Sequence, residues 1–502
     1  MRIGQKPSAP AGHPDTLDLA SGDGLTSCNL HRIGPEGCAF LRKPWMKIDN
    51  PDAKGKGLAV FATALALALA ACAPAPDLTE IRATFDAPPD LRPARVSADV
   101  ARTGFGKQIT RAVETHPQLA ASSASVRAAQ ARSEAEGRGF LPQFAVSATL
   151  GSLVNGGLSG SGFSPALRVM QLVYDGGASA SRQVAAQARV FESRGDRQEI
   201  AAALALDAVA AWYELRAARA RASIAAENVR AHELAFAQVA ARADAGAGGN
   251  ADVLTAQARL ATARARAADA AARVARSEAG FAASFGQRPA AALSAPPGAP
   301  QLPAQSDEML IATSPRILGI NAGIAAAQAD VSVVQSQRFP RLRVDGAVQR
   351  GGSRATLDLD QDIGAPGNRQ ALIRAAQAQV DVMLAERENL AREIVRALSD
   401  LRSDQRAGAA RVSAAREAVR ANRATVEASR EEFSIGRRSL LGLLDAERDL
   451  FDATESLIAA EREVALSGYA ALALTGDILD VFAIMLPQPS GAALAAAGAE
   501  DD

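Results

Sequence analysis

The sequence predicts a mainly α-helical chain with membrane-length β segments, in which one unit (helix, β-hairpin, long helix pair) occurs twice. Three observations carry this reading. The first is self-similarity. His116-Pro117 is followed 25 residues later by Pro142, and Ser314-Pro315 is followed 25 residues later by Pro340, an offset of 198. Further on, the offset is 190: Val184 to Val190 matches Arg374 to Val380, and Gly246/Gly436, Leu254/Leu444, Leu260/Leu450 and Gly286/Gly476 keep it. The halves therefore differ by a net 8 residues, lost between Pro340 and Gly367. The second observation is period-2 alternation at the corresponding place in each half. The third is a seven-residue apolar repeat after it.

Composition sets the frame. At 502 residues the chain could hold two to four ordinary domains. Aromatics make up only 4%, and much of the 48% hydrophobic content is Ala, which suits thin helical layers better than a thick globular core. Lys+Arg and Asp+Glu balance at 55 each, so no net field favours nucleic acid, and none is expected as a partner.

Residues 58–71 form an uncharged apolar run after Lys47, Lys54 and Lys56, the pattern of a secretory signal. The run is short of the roughly 20 residues that span a bilayer. Leu69-Ala70-Ala71-Cys72 resembles a bacterial lipobox, which would make Cys72 the lipid anchor. The other reading is an ordinary secretory signal with a Cys near its end by chance; the lack of any other Cys after residue 38 favours the lipoprotein. Met46 opens a normal signal, so residues 1–45, with Cys28, Cys38 and Trp45, read as a mis-assigned extension and 46–71 as the signal peptide. Ala73, in place of the Asp that retains lipoproteins in the inner membrane, points to the outer one.

Residues 72–105 carry Pro74, Pro76, Pro88, Pro89 and Pro93 and read as an extended tether. Ordered structure is expected from Gly106 to Gly476, with repeats at 106–286 and 314–476, a linker at 287–313 and a tail at 477–502 that ends in disorder. The first helices, 106–138 and 314–338, close at prolines. Phe144, Val146, Ala148 and Leu150 alternate with polar or small residues, then a Gly/Ser-rich turn (Asn155 to Gly162) leads to Leu167, Val169, Gln171 and Val173. In the second half Leu342 and Val344 precede a turn at Gly351-Gly352, and Leu357 to Ile363 alternate with aspartates. These are hairpins. Long helices are expected at 178–243, 250–285, 368–435 and 440–474. Val412, Val419, Val426 and Phe433 repeat every seven residues, as do Leu443, Leu450, Leu457 and Val464. Ala222, Val229, Phe236 and Ala243, then Val253, Leu260, Ala267 and Val274, are their first-half equivalents, and such a repeat keeps one stripe against a neighbouring helix.

Over residues 106–476 these features resemble the TolC-type outer membrane factor family, the exit ducts of tripartite efflux and type I secretion systems. The resemblance implies a trimer whose twelve-stranded β-barrel continues as a twelve-helix tunnel. It also implies a periplasmic adaptor and an inner-membrane pump, proton-driven or ATP-driven, as partners; the lipidated start leans toward drug efflux. The family's helix-turn tip, which forms the periplasmic entrance, matches Gly246, Asp252, Val253, Leu254 and again Gly436, Leu443, Leu444, Asp445. Some members carry two Asp there as a cation-binding acidic ring. Asp445 matches one and Gly442 replaces the other, so an acidic constriction would draw on Asp252; the alternative is that both are charges favoured by the helix dipole. Tyr174 to Gly177, with Gly176 and Gly177, and the prolines Pro142 and Pro340 mark the barrel-to-tunnel turn.

Catalytic chemistry is not expected. His116 reads as a cap residue and His232 as a helix-surface residue, and there is no metal-like cluster, phosphate loop, nucleophile elbow or CxxC. The sequence GSGF at Gly160 to Phe163 falls in the expected turn. Basic residues of 216–230 and 259–276, interleaved with Ala and acids, read as a solvated or lumen-facing side. No cofactor is expected. A periplasmic adaptor and a structural coiled-coil lipoprotein are the competing readings; the first has one helical hairpin where this chain has two, and the second leaves the β-hairpins unexplained.

Overall fold

The computed structural model describes residues 76–86, 96–154, 157–302, 305–349, 352–361, 364 and 367–486. Cys72, the leader, residues 1–45 and the tail beyond Leu486 lie outside them. The elements are α1 (Thr79–Asp86), α2 (Gly104–Glu114), α3 (Pro117–Gly137), β1 (Gln143–Val154), β2 (Gly157–Tyr174), α4 (Ala178–Asp244), α5 (Asn250–Phe285), α6 (Asp307–Ala312), α7 (Pro315–Ser336), β3 (Arg341–Gln349), β4 (Gly352–Asp360), α8 (Asn368–Ser434), α9 (Leu440–Thr475) and α10 (Ile478–Val481). The duplication is plain: two helices, a hairpin and two long helices, twice.

The long helices begin and end within a residue of expectation. Other boundaries differ, each for a physical reason. The helix expected over 106–138 is two helices, because Pro117 at the first position of α3 has no N–H to continue α2. His116 caps the break, its Nδ1 accepting from Gln118 N at 3.2 Å. Pro315 does the same after α6, a helix inside the expected linker. The expected tether also contains a helix, α1, which packs on α4 and α7 through Ile81, Phe85 and the preceding Leu78. β2 starts at Gly157, within the span read as a turn. Order runs past Gly476: Ile478, Val481, Phe482 and Ile484 are buried, and Thr110 Oγ1 donates to the Phe482 carbonyl at 2.7 Å.

The largest core lies where the two halves meet. Phe105, Trp212, Phe281, Phe285, Tyr469 and Phe482 gather there. Phe105 meets Trp212 edge-on at 5.3 Å and Phe281 stacks on Phe285 at 4.0 Å, geometries worth about 1 kcal/mol each beyond burial. The segment joining the halves is pinned beside this core. Arg219 donates to the Ala290 and Ala291 carbonyls, and the Tyr213 and Tyr469 hydroxyls donate to Pro297 O. Burial pushes the Tyr213 phenol up to about 12, so it remains a donor. α7 is long and apolar enough to cross a membrane by length and composition, but here it is wedged between α4 and α8. Gly195 and Gly319 allow that contact: a Cβ on Gly195 would fall 2.6 Å from the Gly319 Cα.

Candidate functional site: a two-faced sheet, its joints and the helix turns

The four strands form one antiparallel sheet in the order β1-β2-β3-β4, with β1 and β4 at its open edges. Its register sorts the side chains. Phe144 pairs with Val169, Val146 with Leu167, Leu167 with Val348, Val344 with Leu357 and Leu342 with Leu359, all on one face. That face is apolar and bare: Phe144 is 72% exposed, Val146 81%, and Leu357 and Leu359 66% each. The opposite face carries Arg168, Asp345, Arg343, Thr356, Asp358 and Asp360. Arg343 bonds Asp360 on it. One apolar and one charged face, on strands of nine residues or more, is the arrangement of a strand set with lipid on one side and water on the other.

Two joints pass the chain from sheet to helix. At the first, Gly176 and Gly177 have φ of 68° and 89°. Gly176 lies so close to Phe339, the neighbour of Pro340, that a Cβ on it would fall 2.7 Å from the Phe339 Cβ. The joint residues of the first half thus meet those of the second. Buried Asp175 serves the start of α4: its Oδ2 accepts from Ser179 N at 2.8 Å and Ser179 Oγ at 2.6 Å. Pro142 and Pro340 each stand immediately before a strand, β1 and β3.

At the far end the two helix turns are built alike. Gly246 N donates to Ala243 O and Ala247 N to Arg242 O; Gly436 N donates to Phe433 O and Arg437 N to Glu432 O. This is the Schellman motif, which needs the left-handed φ of 73° and 75° that the two glycines supply. Val253, Leu443 and Leu444 join one apolar cluster with Ala235, Val239, Ala256, Phe433 and Leu440, so the turns pack on each other. Leu254 and Leu441 point out from it, exposed. Asp252 is exposed in the first turn of α5, where the helix dipole favours a carboxylate. Asp445 lies beyond the first turn of α9 and pairs with Arg448 at 3.6 Å, so the dipole account fits Asp252 only. Among the described residues no group of three His, Cys, Asp or Glu is placed to hold a metal.

Two features were not legible. Arg242 ties the turns together, donating to Phe433 O and Ser434 O; a basic residue four before Gly246 was the available signal. His232 is buried rather than on the surface. The buried stripe of α4 is Ala225, Asn228, His232, Ala235 and Val239, while Ala222, Val229, Phe236 and Ala243 are half-buried. The buried stripe keeps the seven-residue spacing but sets it on Ala225, His232 and Val239 and on Asn228 and Ala235, beside the positions of the expected repeat.

Comparison with known proteins agrees with this geometry. The family model described as outer membrane efflux protein matches residues 109–287 and 308–476. Outer membrane efflux protein BepC of Brucella suis biovar 1 (strain 1330) is 25% identical over 324 residues, 62% of this chain and 71% of that one. Among solved structures, the outer-membrane channel OprN superposes with a TM-score of 0.65 at 22% identity, covering 77% of this chain and 97% of that one. The Neisseria gonorrhoeae MtrE channel in its open state gives 0.65 at 20% identity, covering 74% and 88%, and Campylobacter jejuni CmeC gives 0.63 at 14%, covering 79% and 89%.

Proposed function

The chain belongs to the outer membrane efflux protein family, and from that premise we propose that it is the outer-membrane exit duct of a tripartite efflux system. The observation that carries this is the two-faced sheet. In lipid, the unpaired edges of β1 and β4 would each leave a row of backbone groups without partners, at several kcal/mol per group. Three copies edge to edge remove those edges and make a barrel of twelve strands, apolar outside and charged inside. The paired long helices, of 67 and 36 residues, would continue that barrel as a periplasmic wall roughly 100 Å long for the longer helix.

In this reading Cys72 carries the lipid anchor and the repeats at 106–286 and 314–476 are the working units. The turns at Gly246 and Gly436, with Asp252, Val253, Leu254, Leu443, Leu444 and Asp445, form the entrance that meets a periplasmic adaptor below an inner-membrane pump. Water and solute pass through passively; the pump supplies the energy. Reconstitution tests this. Heat-stable trimers and single-channel currents in planar bilayers are expected, and Asp445→Asn should change the cation block of those currents. A monomer released without pores would overturn the duct, and unaltered currents in Asp445→Asn would remove Asp445 from the constriction.

A further inference from the structure

Just above the turns, the seam between α4 and α9 contains one polar layer between two apolar ones. Ala225 packs with Phe451 on one side of it, and Ala235 packs with Leu443 and Leu444 on the other. Between them stand His232, 6% exposed, and Glu447, 7% exposed. The Nδ1 of His232, the Oδ1 of Asn228 one turn away and the hydroxyl of Ser429 on α8 are buried with no hydrogen-bond partner. Glu447 is already engaged, accepting from Arg430 Nε at 2.6 Å. The charged groups facing His232 are Glu447 from α9 and Arg259 and Arg266 from α5. At the equivalent place in the second half, 190 residues on, stands Asn422, which does not titrate.

We propose that the His232–Glu447 layer is an acid-responsive latch between the two helical hairpins, closed while the imidazole is neutral and released when it is protonated. A charged imidazole in this buried layer would lose most of its hydration and face two arginines, with Glu447 already paired to Arg430. Parting α4 from α9 returns it to water. Burial first, and the arginines after it, hold His232 below its ordinary value, with Glu447 opposing. The closed seam therefore binds fewer protons than the parted one. Its stability is complete above the ordinary His value, near 6.5, and is lost as pH falls through and below that value. The consequence for conduction rests on the duct reading above.

The test uses the full-length protein in planar bilayers, with the helix-turn side at about pH 7.5 and then about pH 5.5. Acid is expected to raise open probability severalfold in the wild type and to leave His232→Asn flat, with its heat-stable trimers intact. Nitroxide-bearing residues at the exposed positions Leu254 and Leu441 supply a readout independent of current. Their separation should lengthen in acid in the wild type and not in the variant. An equal acid response in His232→Asn, or no lengthening in the wild type, overturns the latch. Absence of pores at either pH overturns the duct instead, and the distance measurement then decides the latch alone.

Discussion

Arg242 of α4 donates from Nη2 to the carbonyl oxygen of Phe433 on α8 at 2.6 Å, and its guanidinium carbon lies 4.5 Å from the Phe433 ring centre. One side chain from the first hairpin thus caps the last turn of the second and covers its aromatic. Arg242→Ala should cost about 1–3 kcal/mol locally, the scale of a charged hydrogen bond at a half-buried site. Faster hydrogen exchange over Phe433 to Leu440 measures it. Lys should restore only part, since its ammonium could reach the same carbonyls but has no flat guanidinium to lie over the Phe433 ring.

Gly176 and Gly246 share a left-handed backbone but differ in surroundings. Nothing lies within 4 Å of a Cβ on Gly246, whereas one on Gly176 meets Phe339 and the Ser336 carbonyl. Gly246→Ala should therefore cost only the backbone term of about 1–2 kcal/mol. Gly176→Ala adds overpacking of about 1–3 kcal/mol at the sheet-to-helix joint. Melting of the two variants side by side should rank them in that order.

The two faces of the sheet should respond oppositely to charge. Leu357→Arg places a cation on the apolar face and should cost about 2–4 kcal/mol if that face meets mid-bilayer lipid. Thr356→Arg, one residue earlier on the charged face, should fold and insert nearly as the wild type does. Insertion into lipid vesicles compares them.

Glu192 on α4 lies where α7 approaches through Gly323. Burial, then repulsion from Asp196, raises its pKa above the usual carboxylate value. A raised folded pKa means that folding binds protons, so this contribution is present at low pH and is lost as pH rises through the carboxylate range. Glu192→Gln should melt higher than the wild type at neutral pH, and the gap should close on acidification below about pH 4.5. Thermal melts across that range check the sign.

Legibility followed residue size and spacing. The long helices of both halves were readable because Gly and Pro mark their ends and few residues compete with helix between them. Order beyond Gly476 and the helix at Thr79–Asp86 were missed: both are short, and both are held by distant surfaces rather than by their own propensity. The tip cluster was partly legible, since Val253, Leu443 and Leu444 stand out, whereas Ala235 and Ala256 look like surface alanines until something packs on them.

By itself the sequence determined the duplication, the order of the long helices and hairpins and the two glycine turns, because each rests on local periodicity or on a residue with restricted backbone freedom. Tertiary structure alone decided which stripe of α4 is buried, that Arg242 reaches Phe433 and that His232 and Glu447 share a buried layer. Those outcomes depend on how helices from opposite halves rotate against one another. That rotation is set by side-chain fit across residues some 200 positions apart, which no local pattern encodes.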